Sequence, residues 1–169
     1  MRLFVGISPT DEIRQALAKA QRYLSRHGIT GTALTPENLH MTLAFIGEYP
    51  DPEEVLDAME DVAFTPFRIV YDHLGTFRES IVWGGIEASE PLEKLARSLR
   101  HALAQAGIPF DNGAFTPHFT LFRHADFSKG IPPVEIDPVS MTVREITLYR
   151  SGRGKSGMMY TPIGWVAAS

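Results

Sequence analysis

The sequence predicts an α+β fold with an internal echo, and three observations carry that expectation. Three stretches repeat apolar residues at three- and four-residue spacing, and others alternate in polarity or run apolar between turn residues. Twice, a helical stretch leads through a loop to a strand that begins His-x-Thr-Leu.

Taken in order, Arg2 to Ile7 is an apolar strand running into Ser8-Pro9-Thr10-Asp11. That segment offers an N-cap, a proline suited to a first turn and an acid near the helix start. Ile13, Leu17, Ala20 and Leu24 then form one stripe to Arg26, with Gly28 as the stop. Residues 39 to 47 read as a strand, and Asp51-Pro52-Glu53-Glu54 repeats the capping logic for a shorter helix ending near Val62. Phe67 to Phe77 and Ile81 to Glu87 are rich in β-branched and aromatic residues and join through Arg78-Glu79-Ser80 as a hairpin. Ser89 starts the clearest helix, lined by Leu92, Leu95, Ala96, Leu99, Leu103 and Ala106 and ended by Gly107. A strand from His118 to Arg123, a polar connection through Ser128-Lys129-Gly130, and strands near 134 to 150 and 158 to 167 complete the chain.

With 169 residues, 44% hydrophobic and 21% charged, the chain can bury one good core but not two large ones, so residues 1–169 are expected to form one domain. The opening apolar run is too short for a secretory h-region, and no later run approaches the roughly 18 residues of a membrane span. No membrane association is expected. The absence of cysteine excludes disulfides, a thiolate nucleophile and a Cys-based zinc site, and suits a reducing compartment; the expected location is the cytoplasm. A formal charge of −4 argues against a protein that coats long nucleic acid but leaves room for a small anionic group at a local pocket. Arg144, Arg150, Arg153 and Lys155 fall together near the end, either as a local positive patch or as solvated surface charge.

The chemistry is concentrated in the two His-x-Thr strands. Side chains in a strand alternate faces, so His40 and Thr42 share one face while Met41, Leu43 and Phe45 point to the core. His118 and Thr120 repeat the arrangement, opposite Phe119 and Leu121, 78 residues later. Two imidazoles titrating near about 6.5 suit in-line hydrolysis of a cyclic phosphodiester, in which a base activates water while an acid protonates the leaving ribose oxygen. Each threonine hydroxyl would donate to a non-bridging phosphate oxygen. The scheme needs no metal and no cofactor.

On these motifs the chain resembles the 2H phosphoesterase superfamily, and within it the bacterial and archaeal RNA 2′,3′-cyclic phosphodiesterases, also called 2′-5′ RNA ligases. The resemblance is carried by Arg2-Leu3-Phe4-Val5, by Pro36-Glu37-Asn38-Leu39-His40-Met41-Thr42-Leu43 with Phe45-Ile46-Gly47, by Val82-Trp83-Gly84-Gly85, by Phe115-Thr116-Pro117-His118-Phe119-Thr120-Leu121 with Arg123, and by Leu148-Tyr149-Arg150-Ser151. It implies two pseudo-symmetric lobes, each an antiparallel sheet with packed helices, around a central cleft with one His-x-Thr strand per lobe. It makes His40 the proton donor and His118 the proton acceptor, converting a terminal 2′,3′-cyclic phosphate to a 2′-phosphate, with RNA ends or nucleotides as partners; a monomer is the default expectation. It places Arg123 as a phosphate-neutralising cation beside Thr42 and Thr120. Strict alternation puts Arg123 on the wrong face, so a bulge or the strand's end must turn it. Ala44 departs from the family, many of whose members carry lysine there, which implies a less basic first half of the site.

Other features are weighed against plain structural roles. Gly152-Arg153-Gly154-Lys155-Ser156 imitates the end of a phosphate-binding loop, but Tyr149 stands where that loop needs glycine, so a flexible basic hairpin turn is expected. His124 is about 20 Å along a strand from His118, too far to share an ion, and His27, His73 and His101 lack ligand spacing. Phe45, Phe115 and Phe122 are the aromatics that could stack on a terminal base; core packing is expected of Phe45. Two rivals remain, a non-catalytic RNA-end or nucleotide binding module and 2′-5′ end joining as the working direction.

Overall fold

The computed structural model describes every residue except Ser156. The first strand, β1 (Arg2–Ile7), lies inside a four-stranded antiparallel sheet with β3 (Met41–Glu48), β8 (Glu145–Gly154) and β9 (Gly157–Ala167), in the order β3-β1-β8-β9. The second antiparallel sheet contains β2 (Thr30–Ala33), β4 (Phe67–Phe77), β5 (Ile81–Ile86), β6 (His118–Asp126) and β7 (Val139–Val143), in the order β2-β6-β5-β4-β7.

The helices are exchanged between the sheets. Helix α1 (Asp11–Arg26) leaves β1 of the first sheet and packs against β6 and β7 of the second, whereas α3 (Glu90–Gln105) leaves β5 of the second and packs against β3 of the first. The shorter α2 (Pro52–Glu60) packs on α3 and β9. Each helix starts where a side chain satisfies a free amide: Thr10 accepts from Ile13, Asp51 from Glu53 and Ser89 from Leu92. The stripe Ile13, Leu17 and Leu24 and the stripe Leu92, Leu99 and Leu103 are fully buried, which couples both sheets to one continuous apolar cluster. The result is the expected α+β architecture of two lobes.

Two differences from the sequence expectation have simple causes. Residues 30–33 form a strand although they are exposed and carry no apolar pattern; Thr32 and Ala33 pair with Arg123 and Phe122. Residues 134–138 form no strand and β7 begins at Val139, because Pro133 and Pro138 remove ladder donors on either side. Among the described residues no helix is long and apolar enough to cross a membrane.

Two irregularities in the ladders matter most for the site. In β3, Val5 pairs with Ala44 but Gly6 pairs with Thr42, so Leu43 is an extra residue. In β6, Trp83 pairs with Thr120 but Val82 pairs with Phe122, so Leu121 is the extra residue. Each bulge follows the threonine of a His-x-Thr motif. The first also requires Gly6, because a Cβ there would lie 2.4 Å from the Met41 carbonyl oxygen.

Candidate active site

A bulge reverses the alternation of everything after it. In β3, Leu43 and Ala44 are both buried and Phe45 turns out, 37% exposed. In β6, Leu121 and Phe122 are both buried and Arg123 emerges on the face of His118 and Thr120. A second shift in the β2 pairing, with His124 at φ +52, isolates Arg123 between two irregularities. The core role expected of Phe45 is therefore wrong: Ala44 takes the inward position, and Phe45 faces the same pocket as Thr42 and His118, with the Arg2 guanidinium over its ring at 5.2 Å. Phe122 is core, and Phe115 lines the pocket. Buried Ala44 does not face the site, so its missing charge bears on the cleft less directly than the resemblance implied.

The histidines are held in the same way. His40 Nδ1 lies 2.7 Å from the Asn38 carbonyl, and His118 Nδ1 lies 2.6 Å from the Thr116 carbonyl, each two residues upstream. A carbonyl only accepts, so both Nδ1 atoms carry hydrogen and both Nε2 atoms are left for chemistry. His40 Nε2 meets Thr42 Oγ1 at 3.0 Å, as the shared face requires. Thr120 is buried on the corresponding face of β6.

Both rings sit among aromatic neighbours. His40 is 4.7 Å from Phe4, 4.9 Å from Tyr160 and 5.9 Å from Tyr149 between ring centroids. His118 is 4.9 Å from Phe77 and 5.9 Å from Trp83. Burial first, then the charges of Arg123 and His118, lower the pKa of His40 to about 4 against the raising effect of the Asn38 carbonyl. Burial also lowers His118, opposed by the Thr116 carbonyl. His40 thus feels Arg123 and, when protonated, His118 of the opposite lobe, while Thr42 and His118 line one pocket of about 160 Å3 with Phe45, Phe115, Thr116 and Arg100. Larger cavities exist, one of about 530 Å3 between α1 and residues 133–139, but it contains no histidine. Chemistry, not size, picks out the site.

The helices support the bulges from behind. Gln21 on α1 donates to the Leu121 carbonyl at 3.0 Å and to Leu34 at 2.9 Å. Arg100 on α3 donates to the Leu43 carbonyl at 3.3 Å and to Gly113 at 2.7 Å. Asn38 adds a third brace: its side chain donates to the Met158 carbonyl at 2.8 Å and accepts from the Tyr160 amide at 3.2 Å. None of these three was singled out from the sequence. The signal available for Gln21 and Arg100 was a polar residue set inside an otherwise apolar helix stripe. Phe4, Tyr149 and Trp83 lay within stretches that carried the resemblance, without an assigned role.

Two other histidines have their own partners. His73 Nδ1 is 2.6 Å from Asp72 and its ring lies 5.9 Å from Trp83 between centroids, and His27 is bonded to the Tyr23 carbonyl and stacked on its ring. Among the described residues, no three metal-ligating side chains cluster. The phosphate-loop imitation is the end of the β8–β9 hairpin, with its Ser156 outside the described residues.

Comparison with known proteins agrees with this geometry. An RNA 2′,3′-cyclic phosphodiesterase of Escherichia coli (strain K12) is 33% identical over 168 residues, covering 96% of this chain and 93% of its own. One from Thermotoga maritima is 27% identical, covering 95% and 91%. The crystal structure of E. coli LigT complexed with 3′-AMP superposes with a TM-score of 0.84 at 30% identity, over 99% of this chain and 97% of that one. The model of the 2′-5′ RNA ligase superfamily matches residues 7–155, and with both His-x-Thr strands facing one pocket, the chain belongs to that superfamily of 2H phosphoesterases.

Proposed function

We propose that this chain is an RNA 2′,3′-cyclic phosphodiesterase that opens a terminal cyclic phosphate to a 2′-phosphate by metal-independent acid and base catalysis. The observation that carries the reading is the matched pair of imidazoles, each with Nδ1 bonded to a carbonyl and Nε2 left for proton transfer, one per lobe. Relatives of that name at moderate identity over nearly the whole chain support it.

In the reaction, His118 Nε2 takes a proton from water as its oxygen bonds to phosphorus, the bond from phosphorus to the 3′ oxygen breaks, and His40 Nε2 protonates that oxygen. Thr42, Thr120 and Arg123 hold the non-bridging oxygens, with Arg123 supplying the charge. Phe45 supports the terminal base. A donor with a pKa of about 4 is neutral in the free protein near pH 7, so the role of His40 depends on the substrate. The phosphate's negative charge offsets Arg123 and His118 and raises the His40 pKa, so binding loads the acid. Both strands come from one chain, so the site needs no second subunit; we read residues 1–169 as a single bilobal domain acting as a monomer in the cytoplasm.

The test is phosphorus NMR of a 2′,3′-cyclic nucleotide with the protein. Conversion to the 2′-monophosphate, unaffected by EDTA, is expected. A cyclic signal that persists despite measurable binding would establish the binding module instead, and activity lost on chelation would overturn the metal-free mechanism.

A further inference from the structure

The β8–β9 hairpin is tied to the site but not consumed by it. Asn38, whose carbonyl holds His40, also holds the hairpin through Met158 and Tyr160. Directly paired residues of an antiparallel ladder share a face. Ser151 pairs with Tyr160 and Arg153 with Met158, in unbroken register, so Arg153 and Met158 extend the face on which Tyr160 meets His40 and Arg123. Both are exposed, Met158 by 45%.

Charge separates this surface from the rest of the molecule. From Ile146 to the last residue there are three basic side chains, Arg150, Arg153 and Lys155, and no acid, within a chain of net charge −4. The remainder of the protein repels a polyanion, and this hairpin is where the sign reverses. Around Phe45 and Phe115 the charges are mixed instead: Arg2 and Arg100 lie over the two rings, with Asp111 in the same pocket and Glu48 across the ladder from Arg2.

We infer that this hairpin face binds the nucleotides on the 5′ side of the cyclic end, so that the preferred substrate is an RNA oligonucleotide rather than a mononucleotide. The inference rests on the function proposed above. A cyclic phosphate closes the 3′ end, so the strand leaves the site in one direction only. Arg153 and Lys155 meet its phosphates there, and Met158 offers an apolar surface to a sugar or base.

The experiment compares kcat/KM for a 2′,3′-cyclic mononucleotide and for an RNA hexamer ending in the same cyclic phosphate, at low and moderate salt. The wild-type protein should prefer the hexamer about tenfold or more, with the preference shrinking as salt rises. Arg153→Glu should lower hexamer turnover about tenfold through KM and leave the mononucleotide unchanged, while Arg153→Lys restores most of the preference. Circular dichroism of each variant checks the fold. Equal wild-type rates on the two substrates, or an equal loss on both in Arg153→Glu, overturn the inference while the proposed function stands. A wild-type protein that opens neither substrate overturns both.

Discussion

The His40 strand and the His118 strand are near copies in geometry and differ in what they bring to the pocket. Each ends a loop whose carbonyl fixes Nδ1, carries a bulged leucine after its threonine, and is braced at that leucine's carbonyl by a side chain from a helix. Five residues after the histidine the copies diverge, with Phe45 in one and Arg123 in the other. The backbone device is duplicated, while an exposed aromatic ring stands at this position in one lobe and a guanidinium in the other. A phosphoryl group needs proton transfer from two sides but gains from a cation on only one, and a second guanidinium beside His40 would push its pKa lower still.

The comparison is broken most severely at the histidines. His40→Ala and His118→Ala should each lower kcat on a 2′,3′-cyclic nucleotide by about 10²- to 10⁴-fold, and near-normal turnover in either variant would end the paired acid and base assignment. Next come the divergent positions. Arg123→Ala should cost about tenfold to a hundredfold in kcat/KM, since a charge-assisted hydrogen bond contributes about 1.5–3 kcal/mol. Phe45→Ala should act mainly through KM and vary with the base, because stacking is worth about 1–3 kcal/mol per base. If the two substitutions behave alike on all bases, the division of labour is wrong.

A pH measurement sharpens the electrostatic contrast. His40 titrates near 6.5 when unfolded and about 4 when folded, so between those values the unfolded chain binds more protons. Stability therefore falls as pH drops through that window, by on the order of 3 kcal/mol in total, and is unaffected by His40 above it. Denaturant midpoints from pH 7 to 4 should show this slope, reduced in His40→Asn. In proton NMR, adding inorganic phosphate should raise the His40 pKa; an unmoved titration would contradict loading of the acid by substrate.

The smallest effects belong to the braces. Gln21→Leu removes a buried donor from the Leu34 carbonyl and leaves the Leu121 carbonyl only the Leu34 amide, which should cost about 1–3 kcal/mol, whereas Arg100 reaches its partners from a half-exposed position, so Arg100→Leu should cost less. Urea unfolding measures both, and the reverse order would show that the two bulges are not held equivalently.

The placement of the two histidines and two threonines on matched strands, and the helix caps, were legible because each depends on a local pattern: repetition of His-x-Thr, or Thr10, Asp51 and Ser89 ahead of a helical stripe. The inward role expected of Phe45 failed for a physical reason. Alternation assigns faces only while the ladder is regular, and Leu43 breaks it one residue after Thr42. The same irregularity in β6 puts Arg123 on the face of His118, over the Tyr160 ring beside His40, so one device explains the correction and the required turn. Thr30 to Ala33 escaped notice because it is short and exposed, and forms a strand only through its pairing with β6.

By itself the sequence determined where the two His-x-Thr strands begin and which helix stripes are buried, because residue type and spacing act locally along the chain. The tertiary structure alone decided the exchange of helices between sheets, the aromatic rings around each imidazole, the pKa of His40 and the outward turn of Phe45. Those depend on desolvation and on contacts between segments far apart in the chain, and neither is written in the spacing of neighbours.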